Sequence, residues 1–296
     1  MQIKAYSLLT ITTLLWAGNL VAGKLAVGHV SPMMLNVSRW AIAAFAVTIF
    51  SLPQIRRDWP VIRANWLLLL AYGAVGFSAF NAFLYSALKH TGAINGAVDQ
   101  AGIPLMIFLL NFALFRIRAS LAQLFGFFLT FVGVIIAVTH GHPADLARFT
   151  INFGDALMVM AVLCYSLYTV SLRWKPQLDW RSMMMACCSG AFLAALPMVF
   201  MEAKSGDLQV PTDTVGILAV IYTGLLPSLV SQALFIRGVE LIGPNRAGLF
   251  INLIPVFGIL LAVFLLGEDL QPFHIVALIL AITGIAIAEK GKPKET

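Results

Sequence analysis

Polar and aromatic side chains recur at helical spacing inside long apolar stretches of this chain. Trp16 and Asn19 fall on one face of a helix, and Tyr165 and Tyr168 repeat their spacing 149 residues later. A polar group at membrane depth needs a partner or water, and aromatic rings supply flat apolar surface to a ligand. We expect these four side chains to line a cavity, with plain helix packing as the alternative.

Amide side chains form a second group at similar depth. Asn81 and Gln232 occupy matched positions in the two halves of the chain. Neutral amides can hold both ends of a zwitterion, although two amides at one depth can equally join neighbouring helices. The other residues that we expect at the substrate-binding site are Phe77, Tyr85, Asp99, Gln100 and Asn252.

Asp99 and Arg39 are the charged residues that fall well inside the apolar stretches. Intramembrane charges are costly and indicate function by default. Asp99 could take up a proton or hold a substrate amine, or it could form a structural bridge with Arg39 or Lys24. Glu268 and Asp269 follow an apolar stretch, and we expect them to form a solvated helix end without a functional role.

Motifs of catalysis and metal binding are missing from the sequence. It has no GxxxxGK[ST], HExxH or GxSxG motif and no paired cysteine–histidine cluster. His140 and His142 could bind a metal, but two imidazoles in one loop are weak evidence. The three cysteines lie in apolar stretches, which argues against a disulfide framework and against zinc. We expect no enzymatic activity, no cofactor and no metal.

The composition is that of a polytopic membrane protein. Of the 296 residues, 60% are hydrophobic and 11% are charged, whereas soluble domains carry about 25% charged residues. The mean hydropathy is +0.91. The formal net charge of +6 needs no nucleic-acid partner, because basic residues in membrane loops set orientation instead. The expected surroundings are therefore the lipid bilayer.

A helix needs about 20 apolar residues to cross a bilayer, and the sequence has ten stretches that approach this length. We place them at 5–24, 31–51, 66–88, 92–115, 120–140, 154–173, 182–200, 215–236, 244–266 and 272–289. If the N-terminus is cytoplasmic, 14 Lys and Arg residues lie on the inner side and 4 on the outer side. This bias predicts that both termini are cytoplasmic.

The two halves of the chain repeat one another. Gly92–Pro104 (GAINGAVDQAGIP) recurs 151 residues later as Gly243–Pro255 (GPNRAGLFINLIP), and each copy places its proline within a predicted span. A proline there kinks the helix and frees the carbonyl four residues earlier. We therefore expect Pro104 and Pro255 to act as hinges.

Each half contains five predicted spans, an odd number, so the second half enters the membrane from the opposite side. The sequence thus predicts an all-α membrane protein of ten transmembrane helices in two inverted five-helix repeats. The repeats comprise residues 1–141 and 152–290, and residues 291–296 form a cytoplasmic tail. Inverted repeats with a site near mid-bilayer are typical of secondary transporters.

Several motifs carry a resemblance to a known family: LLWAGNLVAGKLAV, MMLNVSRWAIAA, ALKHTGAINGAVDQAGIPLMIFLL, GVELIGPNRAGLFINLIPVFGILLAVFLLGEDL and GIAIAEK. Over essentially its whole length the chain resembles the drug/metabolite transporter superfamily, in the ten-helix bacterial exporter branch, and is similar to the aromatic amino-acid exporter subgroup. The resemblance implies an exporter of the bacterial cytoplasmic (inner) membrane, with a cavity ringed by spans 1, 3, 4, 6, 8 and 9.

The chain departs from that family pattern in two places. Arg116 and Ile117 stand where the pattern of Gly267 and Glu268 would align in the first half. The sequence WAGN occupies the neighbourhood in which small multidrug relatives have a proton-coupling glutamate. The resemblance therefore does not imply proton coupling through the first span.

These observations together predict a secondary transporter that exports small amino acids with aromatic or other apolar side chains, such as phenylalanine, tryptophan, tyrosine and methionine. We expect it to work by alternating access as a monomer or weak dimer. The alternative is an exporter of lipophilic cationic drugs or other amphipathic metabolites, because Asp99 beside aromatic faces would suit a cation. A scaffold or membrane enzyme is a third reading, but a scaffold needs no matched prolines and an enzyme needs a nucleophile or metal cluster.

Overall fold

The computed structural model describes residues 2–116, 120–142, 152–242, 247 and 250–290. Within these ranges every regular element is a helix. The predicted tail at 291–296 lies outside the described residues, as do Ile117 and positions 243–246 and 248–249 of the second Gly–Pro copy.

Helices follow one another through short connections. Their bounds are α1 Gln2–Leu25, α2 Pro32–Ala64, α3 Trp66–Ala87, α4 Ala93–Gln100, α5 Ile103–Phe115, α6 Leu121–Val138, α7 Phe153–Ser171, α8 Trp180–Lys204, α9 Thr214–Ile242, α10 Leu253–Leu266 and α11 Pro272–Lys290. Taking α4 and α5 as one span, the described residues form seven helices long and apolar enough to cross a membrane; α6, α10 and α11 are shorter apolar helices. The chain is a multi-pass helical membrane protein.

Large apolar side chains cover the outside of the helix bundle. Phe45, Phe128 and Phe264, on three different helices, are 71%, 60% and 79% exposed. In water a surface of this kind would drive association. In a bilayer the same side chains contact lipid tails, so they need no protein surface to cover them.

The helix of the first Gly–Pro copy is broken where a kink was expected. α4 ends at Gln100, a turn follows at Ala101 and Gly102, and Pro104 lies in the first turn of α5. Proline is favoured in a first turn because its missing N–H has no helical acceptor there. The local result is two half-helices, which is a stronger interruption than the predicted kink.

Three spans contain π-helical turns, Gly73–Ala79 in α3, Leu226–Val230 in α9 and Ala262–Leu266 in α10. Such turns shift the backbone out of α-helical register and are frequent at functional sites. A Cβ added at Gly76 would lie 2.3 Å from Cγ of Tyr168. Glycine therefore allows the first π turn to approach the aromatic ring of α7.

Small residues bring other helices into close contact. A Cβ on Gly126 of α6 would lie 2.3 Å from the carbonyl oxygen of Gly284 in α11. Helices associate in membranes through such small residues, since lipid provides little hydrophobic drive. At the end of the bundle opposite Gln2, the space between helices is filled by a hydrophobic cluster that includes Leu35 and Leu88.

Glu268 corrects one sequence-based expectation. Its carboxylate accepts hydrogen bonds from the N–H groups of Ala93 (2.7 Å) and Ile94 (2.9 Å), the first residues of α4. The expected solvated helix end is found at the exposed Asp269, but Glu268 is half-buried. Unpaired N–H groups and the dipole at a helix start both favour a carboxylate.

Glu202 does the same for α2. Its carboxylate accepts hydrogen bonds from the N–H groups of Met33 and Met34, each 3.3 Å long, and from the Ser31 hydroxyl at 2.6 Å. Both glutamates belong to the second half of the chain, and both cap helices of the first half. These contacts lie at the end of the bundle opposite the termini, and they tie the two halves together there.

Candidate functional site

A cavity of about 560 Å³ lies between helices of the two halves, within the usual volume range of small-molecule sites. We call it the central cavity. Its wall contains eight of the expected binding residues and both prolines: Trp16, Asn19, Phe77, Asn81, Gln100, Tyr165, Gln232, Asn252, Pro104 and Pro255. The structure therefore brings most of the predicted set together around one space.

Three expected binding residues lie outside the wall of the central cavity. Tyr85 is fully buried behind it, and its hydroxyl donates to Oδ1 of Asn19 at 2.9 Å. Tyr168 packs edge-on against Phe77, with ring centroids 5.5 Å apart. Asp99 is buried away from the cavity. Tyr85 and Tyr168 thus support residues of the wall without facing the space.

Arg39 is the charged residue of the cavity wall in the described part of the chain. Its Nη1 donates to Oδ1 of Asn19 (2.5 Å), to Oδ1 of Asn81 (2.9 Å) and to the hydroxyl of Tyr85 (2.6 Å). Its Nε donates to the Ser228 hydroxyl at 2.9 Å. Helices α1, α3 and α9 therefore hold the guanidinium of α2 in one orientation.

All of these partners are neutral, while the guanidinium keeps its charge in proteins. Arg39 is only 6% exposed, and its Nη2 forms no hydrogen bond within the described residues. A buried cation without a counter-ion is unfavourable. The arrangement therefore favours a ligand that brings an anionic oxygen to Nη2.

The bridges considered for Asp99 are not formed. Arg39 contacts the neutral groups just described, and Lys24 donates to the carbonyl oxygens of Leu88 (2.9 Å) and Thr91 (2.8 Å). Neither carboxylate oxygen of Asp99 has a hydrogen-bond partner in the described residues. The two intramembrane charges thus have separate surroundings.

Aromatic rings form the apolar part of the wall. Trp16 donates its indole N–H to the carbonyl oxygen of Pro227 (3.1 Å), which fixes the ring against the π turn of α9. Trp40 stacks on Phe77 with centroids 4.9 Å apart. Tyr165 contacts a phenylalanine of α3 at 5.4 Å. An apolar or aromatic ligand side chain would find flat surfaces on several sides.

Irregular backbone meets at the central cavity. The broken end of α4 contributes Gln100 and Ala101, the turn before α10 contributes Asn252, and the π turns of α3 and α9 contribute Phe77 and Ser228. Backbone groups that leave helical register at membrane depth are tolerated where they line a cavity. Their convergence makes this cavity the candidate site of the fold.

The central cavity extends toward one end of the bundle. Asn111 near the end of α5, Gln123 near the start of α6 and Ala288 near the end of α11 belong to its wall. These positions lie toward the end that carries the two termini. The opposite end is filled by the hydrophobic cluster around Leu35 and Leu88, so the bundle is closed on that side.

The described residues contain no group of three or more His, Cys, Asp and Glu side chains that could hold a metal ion. Cys164, Cys187 and Cys188 are buried free thiols. Buried thiols in apolar surroundings are inert. The central cavity therefore offers hydrogen bonds, one cation and aromatic surface to a ligand.

Arg39 and Ser228 were absent from the expected binding set. Arg39 was visible as an intramembrane charge, and such a charge already indicates function. The bridge to Asp99, one of the alternatives open from the sequence, is not formed, because the periodicity of a single helix does not reveal which neighbours its face meets. Ser228 carries no sequence signal beyond its position next to Pro227.

The sequence profile of the EamA-like transporter family matches residues 3–139 and 152–289. The chain is 24% identical to "Uncharacterized transporter YyaM" of Bacillus subtilis, over 90% of this chain and 87% of that protein. It is 25% identical to "Probable terminal-alkyne amino-acid exporter" of Streptantibioticus cattleyicolor, over 97% of this chain and 94% of that protein.

A solved crystal structure has a similar fold. It aligns with a TM-score of 0.61 and 20% sequence identity, and the alignment covers 97% of both chains. The profile match spans most of the chain, and the relatives named above are transporters. The chain belongs to the EamA-like transporter family, and it is a membrane transporter and not an enzyme.

Proposed function

We propose that this transporter exports amino acids with aromatic or other apolar side chains, such as phenylalanine, tryptophan, tyrosine and methionine. Arg39 at the wall of the central cavity is the observation that carries the proposal. Its free Nη2 can donate a charge-assisted hydrogen bond to a substrate carboxylate. The substrate side chain then lies against Trp16 and the stacked rings of Trp40 and Phe77.

The substrate ammonium group needs acceptors on the same wall. Asn252, Gln232 and Gln100 line the cavity and offer amide oxygens without a fixed negative charge. A neutral zwitterion therefore matches one cation and several neutral amides better than a doubly charged ligand does. The relative named as an amino-acid exporter is similar in sequence over nearly its whole length, which supports this substrate class.

Export of lipophilic cations is the rival function. A cation site was expected at Asp99 beside aromatic rings. Asp99 does not line the central cavity, whereas Arg39 does. A cationic ligand would meet the guanidinium at close range in a medium of low dielectric constant, where like charges repel strongly. The geometry thus favours the amino acid over the cationic drug.

We further propose that the chain forms ten transmembrane helices in two inverted repeats, residues 1–141 and 152–290, in the bacterial inner membrane with both termini cytoplasmic. Matched features support the repeat. Arg116 and Gly267, 151 positions apart, both end a helix in the left-handed conformation, with φ of 53° and 67°. In that orientation the central cavity extends toward the cytoplasm.

Pro104 and Pro255 are the proposed hinges of this cycle. Each lies in the first turn of a helix that begins at the cavity wall, after the turns at Gly102 and Asn252. Alternating access would move α5 and α10 around a fixed site. Distances between spin labels placed on these helices should change when substrate is added, and unchanged distances during normal transport would exclude the hinges.

Counterflow in proteoliposomes tests the function. Vesicles preloaded with unlabelled phenylalanine should take up labelled phenylalanine and methionine, and a quaternary ammonium dye should not exchange. Trp16→Ala should slow amino-acid exchange, since it removes a wall of the cavity, whereas the exposed Trp59→Ala serves as a matched control. Exchange of the dye without exchange of the amino acids would establish the cation exporter instead.

A further inference from the structure

Asp99 of α4 and Asp155 of α7 are a pair of buried acids that lie outside the wall of the central cavity. They are 2% and 0% exposed, and the helices that carry them pack against each other. Both carboxylate oxygens of Asp99 and Oδ1 of Asp155 lack a hydrogen-bond partner in the described residues. An ionised carboxylate is very costly in such surroundings and two close ones are costlier. The pair therefore holds at least one proton.

A hydrogen-bond network lies next to the pair. The N–H of Gln271 donates to Nδ1 of His274 at 3.0 Å, so His274 carries its proton on Nε2 and donates it to Oδ1 of Asn95 at 2.7 Å. The amide of Asn95 is thereby oriented. Its Nδ2 points toward Oγ1 of Thr91 (3.1 Å) and Nε2 of His140 (3.3 Å).

Nε2 of His140 also lies 2.9 Å from Oδ2 of Asp155. A ring nitrogen that accepts a hydrogen bond from Asn95 cannot donate one to Asp155. The bond from Asn95 to Nε2 therefore forms only in the arrangement in which Asp155 carries the proton of the His140–Asp155 contact. If the proton moves from Asp155 to Nε2 of His140, Nε2 can no longer accept the hydrogen bond from Asn95 and Asp155 becomes ionised. The His140–Asp155 contact therefore has two arrangements, which differ in the position of one proton.

These groups connect solvent with the cavity wall. The side chain of His140 is 42% exposed, at the end of the bundle opposite the termini, where the central cavity is closed. Asp155 lies behind it, and Asp99 is the residue before Gln100 of the cavity wall. A proton can thus reach the neighbourhood of the substrate from the side that the substrate cannot reach in this conformation.

Other charged groups pack around α4 but are engaged elsewhere. Glu268 caps the start of α4, and Lys24 of α1 binds backbone carbonyls. His274 of α11 bonds Asn95, and His90, in the connection before α4, contacts Phe153 with ring centroids 5.2 Å apart. None of these hydrogen-bonds to Asp99 within the described residues, so Asp155 and His140 are the groups that can exchange its proton.

We propose that Asp99 and Asp155 bind a transported proton, which enters through His140 and drives export of the substrate. The proposal rests on the export function proposed above. In one cycle a proton passes from the outer solvent to His140, then to Asp155 and Asp99, and leaves through the central cavity to the inner solvent. One zwitterion moves out, so one positive charge enters per cycle.

The test compares two assays on the same proteoliposomes with the membrane potential held at zero. A gradient of one pH unit should concentrate labelled phenylalanine up to roughly tenfold in the direction opposite to proton flow. In Asp99→Asn and Asp155→Asn the concentration ratio should fall to about one, while counterflow without a pH gradient persists. Asp213→Asn should keep the wild-type ratio, because this exposed acid contacts His29 at the same end of the bundle.

Counterflow in wild type without any concentration by the pH gradient would overturn the proton site and leave the export function intact. Failure of counterflow itself would refute the export function. The proton site would then be tested by carbodiimide labelling of the wild-type protein. A hydrophobic carbodiimide reacts with protonated carboxyl groups in apolar surroundings. Mass spectrometry should find its adduct on Asp99 or Asp155, and absence of an adduct on both would overturn the site.

Discussion

Two regions of the same bundle treat a buried charge in opposite ways. Arg39 at the central cavity has four hydrogen-bonding side-chain partners, all neutral, and its Nη2 has no hydrogen-bond partner in the described residues. Asp99 has no hydrogen-bond partner in the described residues and lies behind the wall. A guanidinium cannot lose its proton, whereas a carboxyl group can gain one. The first region therefore needs an anion from outside, and the second needs only a proton.

The two regions also differ in their proposed roles, substrate recognition at Arg39 and proton coupling at Asp99. The region of Arg39 is built on irregular backbone and lines the cavity. The region of Asp99 is built on a hydrogen-bond network that leads to solvent at the closed end. Since both charges reside on helices of the first half that glutamates of the second half cap, each region is held by a contact between halves.

Removal of the Arg39 charge should have the largest effect. Loss of one partner from a buried charge-assisted contact costs about 2 to 5 kcal/mol of binding free energy, or roughly 30-fold or more in affinity. Arg39→Gln should therefore abolish phenylalanine counterflow at low substrate concentration, and Arg39→Lys should retain part of it. Arg237→Gln, on the exposed Arg237–Glu240 pair, is the matched control. Equal counterflow in all three variants would contradict a substrate-binding role for Arg39.

The two capping glutamates should give an intermediate effect and distinguish the regions. Glu202→Ala and Glu268→Ala should each lower the free energy of unfolding by about 1 to 2 kcal/mol, since each leaves helix-terminal N–H groups unpaired. Thermal unfolding in detergent measures the stability. Glu202→Ala should weaken substrate affinity through α2, and Glu268→Ala should reduce the response to a pH gradient through α4. If Glu202→Ala instead reduced the response to a pH gradient and Glu268→Ala weakened substrate affinity, the two regions would not be separate.

The sequence predicted the fold class and much of the cavity wall because both depend on local information. Apolar length identifies a spanning helix, and helical spacing places Trp16 with Asn19 on one face. The rotation of that face relative to other helices depends on breaks and π turns that the sequence does not locate. This is why Tyr85, Tyr168 and Asp99 lie behind the wall.

The longer-range contacts were not predictable for a related reason. Glu268 caps a helix start 175 positions earlier in the chain, and Arg39 meets Ser228 across 189 positions. No pattern within either segment specifies such a partner. The relation between Asp155 and His140 depends in the same way on which helices pack together, although both residues were visible in the sequence.

Substitution of the exposed Asp213, which contacts His29, should have the smallest effect on stability and transport. The exposed His29–Asp213 pair is thus a contrast to the buried contact between His140 and Asp155. The backbone N–H of Gly216 and then His29 lower the pKa of Asp213. A carboxyl group with a lowered folded-state pKa stabilises the fold above its unfolded pKa of about 3.9, and this contribution is lost as the pH falls through the folded-state pKa.

Asp213→Asn should therefore lower the unfolding temperature slightly at neutral pH, where the contribution of the charge is lost although asparagine still caps the helix, and should flatten the fall in unfolding temperature below about pH 4. The measurement is thermal unfolding of the two proteins across this pH window. A large loss of stability or of transport at neutral pH would show that this exposed pair is more than a surface contact.

The most direct test of the account is competition for phenylalanine counterflow by two analogues, one without the amine and one without the carboxylate. If Arg39 binds the substrate carboxylate, 3-phenylpropionate should compete with phenylalanine and phenethylamine should not. In Arg39→Lys the same preference should persist in weaker form. Competition by phenethylamine that equals or exceeds competition by 3-phenylpropionate would contradict the central claim that this cavity recognises an anionic group.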